Sequence, residues 1–218
     1  MQTATLQTMP TPADYYGVYY PHLLRAAELL TAYLGAFRQE SLSRQGCDPI
    51  NHVLARIKTP ASAAAKLERR HYPTDGTSAV FNIRDAVGLR IVCPMLSDLE
   101  TVRRAIGLYP GLEIVTEKDY IRFPKQNGYR SYHMIVRVST EVEGRRRDTF
   151  VEIQLRTIAM DCWAALEHQL KYKRAYEGDE LIAAELRRCA DELSATDQSL
   201  LAIREHIESD SDGCMLCS

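Results

Sequence analysis

From Asp14 to about Arg44 apolar side chains recur every three or four positions: Tyr16, Tyr19, Tyr20, Leu23, Leu24, Ala27, Leu30, Leu34 and Phe37. That period puts them on one face of a helix. Pro21 can divide the helix, and Gly46, Asp48 and Pro49 end it. Ile50 to Lys58 reads as a strand. Thr59 and Pro60 supply the N-cap and first position of a helix reaching about His71. YPTDGTSAV (72–80) carries turn residues and reads as a loop. Leu89 to Cys93 predicts a short buried strand, Leu96 to Leu108 a helix, and Ile114 to Phe123 a strand with a loop after it.

Ser131 to Val138 and Thr149 to Leu155 both alternate, and the polar stretch EVEGRRRD between them predicts a hairpin turn. Met134, Val136 and Val138 share one strand face; so do Val151, Ile153 and Leu155. Packing these faces on a core turns Tyr129, Ser131 and His133, with Glu152, Gln154 and Arg156, toward the other side. Ile158 to Tyr172 predicts a helix with the stripe Ala159, Trp163, Leu166 and Leu170. Glu180 to Ile207 predicts another, in which Ile182, Leu186, Cys189, Leu193, Leu200, Ile203 and Ile207 fall near heptad spacing. That seam suits its own domain or a second subunit. The organisation expected is an N-terminal helical segment (1–45), a central domain (46–175), a C-terminal helix (176–208) suited to oligomerisation and a flexible tail (209–218).

Composition adds bounds. The chain has 218 residues, 45% of them apolar, and a net charge of −2. This suits one soluble domain with helical additions. The small charge excludes a global basic field for bulk nucleic acid or membrane. Neither a membrane-length apolar run nor a signal-peptide pattern occurs, so a cytoplasmic protein is expected. Cys47, Cys93, Cys162 and Cys189 sit among apolar neighbours and read as small core residues. Cys214 and Cys217 form one CxxC, which supplies only two ligands.

Four clusters could carry chemistry. Arg56, Lys58, Lys66, Arg69 and Arg70 lie on a strand and the helix after it, aiming cations into the angle between them. This suits a polyphosphate and equally a solvated face. Asp85 and Arg90 flank a glycine at the entry to a buried strand. Such an acid can hold Mg²⁺, and it can also close a helix-end salt bridge. Glu152, with Gln154 and Arg156, is a carboxylate on a central strand. Beside Asp85 it would complete a metal site or accept a proton from an attacking hydroxyl. KQNGYRSYH (125–133) crowds Lys125, Gly128, Tyr129, Arg130 and His133 together. The tyrosine offers a ring for base stacking, the glycine a close backbone approach, and the cations donors to phosphate. No Walker A, GxGxxG or HExxH pattern accounts for these groups.

RIKTPASAAAKLERR, IRDAVGLRIVC, DYIRFPKQNGYRSYH and VEIQLRTIAMDCWAALEHQLKYK together resemble the synthetase domain of the RelA/SpoT family, in particular its short single-domain alarmone synthetases. The resemblance implies a mixed α/β (α+β) nucleotidyltransferase-like sheet flanked by helices. It implies transfer of pyrophosphate from ATP to the 3′-hydroxyl of GDP or GTP, with Mg²⁺ as cofactor. Arg56 and Arg90 would flank adenine, while Lys58, Lys66 and Arg69 would hold the ATP phosphates. Asp85 and Glu152 would hold the metal, with Glu152 also the base. Tyr129 would stack on guanine, Lys125 and His133 would hold the acceptor's 5′ phosphates, and Gln154 would position the acceptor. A homo-oligomer, most often a tetramer, is implied. The alternatives are a relative acting on the 3′ end of tRNA, using Arg145 to Arg147, and a non-catalytic nucleotide- or RNA-binding regulator. The YPTDGTSAV loop and Gln126 depart from the long members' pattern, and the CxxC tail lies outside it.

Overall fold

The computed structural model describes residues 10–173 and 180–215. Its elements follow in order: α1 (Pro12–Tyr16), a 3-10 turn (Gly17–Tyr19), α2 (Tyr20–Gln45), β1 (His52–Ile57), α3 (Pro60–Arg69), α4 (Gly76–Asn82), β2 (Val87–Cys93), α5 (Leu96–Gly107), β3 (Leu112–Asp119), β4 (Tyr132–Val142), β5 (Arg145–Thr157), α6 (Ile158–Lys173) and α7 (Glu180–Met215). The strands form one mixed sheet in the order β1-β2-β5-β4-β3. β2 runs parallel to β5 and the other neighbours are antiparallel. This is the mixed α/β architecture expected.

Alternation in the hairpin sets the layers. Met134, Val136, Val138, Val151, Ile153 and Leu155 are all at most 1% exposed, facing a core that α2 closes with Leu23, Leu30 and Leu34. α2 is therefore part of the domain's own core. The break in the N-terminal helix falls at Gly17–Tyr19, not at Pro21. Pro21 sits in the first turn of α2, where no backbone donor is needed.

Two local readings change. The 72–80 stretch is not all loop. Asp75 accepts a bond from the Ser78 amide at 2.8 Å and caps α4, whose Ala79 and Val80 are buried. Weak helix formers hold there because tertiary burial outweighs propensity. Gly76 is required: a Cβ there would lie 1.8 Å from the Tyr15 carbonyl oxygen. The hairpin turn is also tighter than EVEGRRRD. Val142 pairs with Arg145, leaving Glu143 and Gly144 as a two-residue turn, both at positive φ. The arginines after it belong to β5. Arg146 bonds the Ser139 hydroxyl, while Arg147 lies 5.1 Å from the centre of the Tyr19 ring. Alternation sends them to opposite faces, so Arg145 to Arg147 make no single basic patch.

α7 packs on its own domain along one stripe, with Ala190 and Asp197 each 5% exposed. Leu193 is half-buried there, whereas Leu200 and Ile203 remain exposed. The predicted seam is thus divided. α7 runs on to Met215, past the expected boundary at 208, and Cys217 lies outside the described residues.

Candidate active site

The face of the sheet opposite α2 carries the polar row. Arg90, Gln154 and His133 stand side by side on β2, β5 and β4; Gly88 stands beside Glu152. Because Gly88 has no side chain, Arg56 on β1 lies over it, with Nε 3.5 Å from where a Cβ would be. A cavity of about 210 Å³ opens there, lined by Leu54, Arg56, Gly88, Leu89, Arg90, Glu152 and Gln154. Arg56, Arg90, Glu152 and Gln154 therefore converge on one cavity. Burial and the charge of Arg156 push the Arg90 guanidinium pKa down, against the pull of Asp161.

At the edge of this face Lys58 and Lys66 both donate to Asp85 Oδ2, at 3.0 and 2.5 Å. Tyr16 fixes the approach by donating to the Lys58 carbonyl at 2.9 Å. The lysines predicted to hold phosphates thus neutralise the aspartate beside them. Asp85 is 8% exposed, and its Oδ1 is buried with no partner among the described residues. A buried carboxylate oxygen left unpaired is costly. The atom suits a hard cation, which takes one or two carboxylates together with phosphate oxygens. Arg69 is exposed in the last turn of α3, three positions after Lys66, as is Arg70 just beyond it.

Glu152 is the second acid. Burial alone would raise its pKa. His133 beside it, the Lys66 charge and a 3.1 Å bond from Gln154 Nε2 reverse this and hold it at about 2. His133 Nδ1 stands 3.7 Å from Glu152 Oε1, an ion-pair separation rather than a hydrogen bond. Glu152 is therefore ionised at neutral pH. So low a pKa favours holding a cation over accepting a proton. Lys66 touches Asp85, and its charge also acts on Glu152.

The 120–131 loop sits beside them. The Tyr129 hydroxyl is 2.8 Å from His133 Nε2 and accepts from Arg156 Nη2 at 2.9 Å. The Tyr129 ring lies between cations, with Lys125 Nζ 4.7 Å and Arg156 5.2 Å from its centre. Lys125 also covers Tyr120, at 4.9 Å. A base stacking on Tyr129 therefore exchanges with a cation–π contact.

Three members of the loop differ from expectation. Gly128 approaches α7, not a ligand: at φ +88°, a Cβ would lie 2.6 Å from the Ala190 Cβ. Arg130 is spent on α7, donating to the Ala190 carbonyl at 3.2 Å and to Asp191 at 2.8 Å. Ser131 is fully buried and donates to the Leu155 carbonyl rather than joining the polar face. Asp161, Tyr120 and Trp163 are additions. Asp161 binds Arg156 and Arg90, and the two aromatics pack edge-on against Tyr129. In sequence Asp161 reads as an ordinary acid in a helix's first turn.

A family model described as a region found in RelA/SpoT proteins matches residues 55–177. The chain belongs to the RelA/SpoT family. The GTP pyrophosphokinase YwaC of Bacillus subtilis is 34% identical over 183 residues, covering 84% of this chain and 87% of that protein. The small alarmone synthetase 1 of Bacillus subtilis, solved with its product pppGpp, superposes with a TM-score of 0.78 at 31% identity, covering 85% of this chain and 94% of the other. The same enzyme bound to AMPCPP gives 0.74 at 27% identity, over 88% and 96%. This RelA/SpoT chain therefore shares both sequence and architecture with short synthetases across nearly their whole length.

Proposed function

We propose that this chain transfers pyrophosphate from ATP to the 3′-hydroxyl of GDP or GTP, using one face of its sheet for both nucleotides. The activity is that of a GTP pyrophosphokinase making (p)ppGpp, as in the relatives it matches. One observation carries the residue assignment: Glu152 lines the Arg56/Arg90 cavity on one side and meets His133 on the other. A group in that position faces donor and acceptor together.

ATP enters the cavity with adenine between Arg56 and Arg90. Its phosphates reach Lys58 and Lys66, with Arg69 at the rim. Asp85 and Glu152 would hold Mg²⁺, which when bound neutralises charge on the phosphate oxygens. GDP or GTP lies across Tyr129, exchanging its base for the Lys125 contact. Lys125 and His133 then take its 5′ phosphates, and Gln154 orients its ribose. Glu152 receives the proton of the 3′-hydroxyl as that oxygen bonds the β-phosphorus of ATP, the bond from the α-phosphate breaks and AMP leaves. Such a site works by alignment and charge neutralisation. The Bacillus subtilis relative was solved with pppGpp and with AMPCPP, an ATP analogue, which supports a guanine nucleotide and an adenine nucleotide as the ligands.

The test is label transfer from γ-labelled ATP by purified protein offered GDP, GTP or tRNA. Label on the guanine nucleotide supports the proposal; label on tRNA, or on none, overturns it. We place the enzyme in the cytoplasm as a homotetramer joined through the exposed Leu200/Ile203 side of α7. Light scattering checks this: Leu200→Glu with Ile203→Glu lowers the mass, and a monomeric wild type rejects it.

A further inference from the structure

The residues assigned to the two nucleotides are joined by a chain of polar contacts. Asp161 Oδ1 accepts from Arg156 Nη1 at 2.9 Å and stands 3.2 Å from Arg90 Nη1. One carboxylate oxygen thus serves two guanidinium groups. Arg156 is 4% exposed, and its Nη2 is shared between the Tyr129 hydroxyl at 2.9 Å and Gln154 Oε1 at 3.0 Å. The Nε atoms of both arginines are buried without partners among the described residues. Two cations face one anion, and each keeps an unpartnered Nε among the described residues.

We propose that Asp161, acting with Arg156, is a positioning residue that couples the two nucleotide subsites, so that filling one tightens the other. This rests on assigning Arg90 to ATP and Tyr129 to the guanine nucleotide. A base arriving on Tyr129 meets the Arg156 guanidinium, 5.2 Å from the ring centre. Drawing Arg156 toward the newcomer loosens its hold on Asp161. Asp161 then serves Arg90 alone and fixes it as a wall of the donor cavity. The two arrangements of Asp161 are the two states, and each nucleotide favours the same one. Linkage makes the effect reciprocal.

Calorimetry on the full chain with Mg²⁺ tests this, using AMPCPP with and without saturating GDP. In the wild type, GDP tightens AMPCPP by about five-fold or more, and AMPCPP tightens GDP by the same factor. In Asp161→Asn the factor falls to within about two-fold of unity while GDP alone still binds. Arg156→Lys, which keeps the charge but cannot span three partners, also loses the coupling. If Asp161→Asn does not fold, Arg156→Lys decides by the same criterion. Wild-type coupling near unity, or a variant coupled like the wild type, overturns the proposal. If neither nucleotide binds the wild type, the subsite assignment itself falls, and coupling with it.

Discussion

Asp85→Asn separates charge from shape at the edge of the site. The substitution keeps the size of the side chain and removes the counter-charge of two lysines. Lys58 and Lys66 are 13% and 22% exposed, and Asp85 Oδ2 accepts from both. Breaking a buried ion pair on one side typically costs about 3–5 kcal/mol. Here the lysines keep partial access to water, and the substitution also removes the charge from the unpartnered Oδ1. A net loss of about 2–3 kcal/mol follows. For a chain of this size that is about 5–10 °C in Tm. Thermal unfolding without nucleotide measures it. ATP restores part of the loss, because its phosphates give the lysines a new partner. Label transfer falls by orders of magnitude through the lost cation site. An unchanged Tm would mean that the lysines do not rest on Asp85 in solution, and unchanged turnover would remove Asp85 from the chemistry.

Other perturbations read other parts of the site. Gly128→Ala forces strain at positive φ and a clash with Ala190, costing about 1–3 kcal/mol from each source unless the loop leaves α7; GDP affinity then drops in calorimetry while AMPCPP affinity holds. Tyr129→Phe is not silent, since His133 and Arg156 both lose the hydroxyl; a several-fold rise in the KM for GDP is expected, and Tyr129→Ala raises it further because stacking is worth about 1–3 kcal/mol. Glu152 has its pKa lowered in the fold from 4.5 to about 2, so its contribution is full above 4.5 and is lost as the pH falls toward 2. That contribution is about 3 kcal/mol, and in Glu152→Gln this part of the acid slope in urea unfolding should vanish.

Much of this protein was legible along the chain. The alternation of Met134, Val136 and Val138 against Val151, Ile153 and Leu155 required one buried and one polar sheet face, because side chains alternate along a strand. That placed Glu152, Gln154 and His133 together before any coordinates. The Thr59-Pro60 cap, the helical periods and the cation-rich strand and helix were local signals of the same kind. The remainder depended on contacts between segments distant in sequence. α4 forms because Asp75 caps it and its apolar residues find a core, not through its own propensity. Gly128 looks like a ligand-facing hinge until the Ala190 Cβ is found at 2.6 Å from where a side chain would start. The α7 repeat was compatible with either a self-packed or a shared helix; only the placement of Ala190, Leu193 and Asp197 divides its inner side from Leu200 and Ile203. Asp161 carries no local mark at all. It acquires its role because β5 brings Arg156 next to Arg90 on β2, and two guanidinium groups so placed need one carboxylate between them.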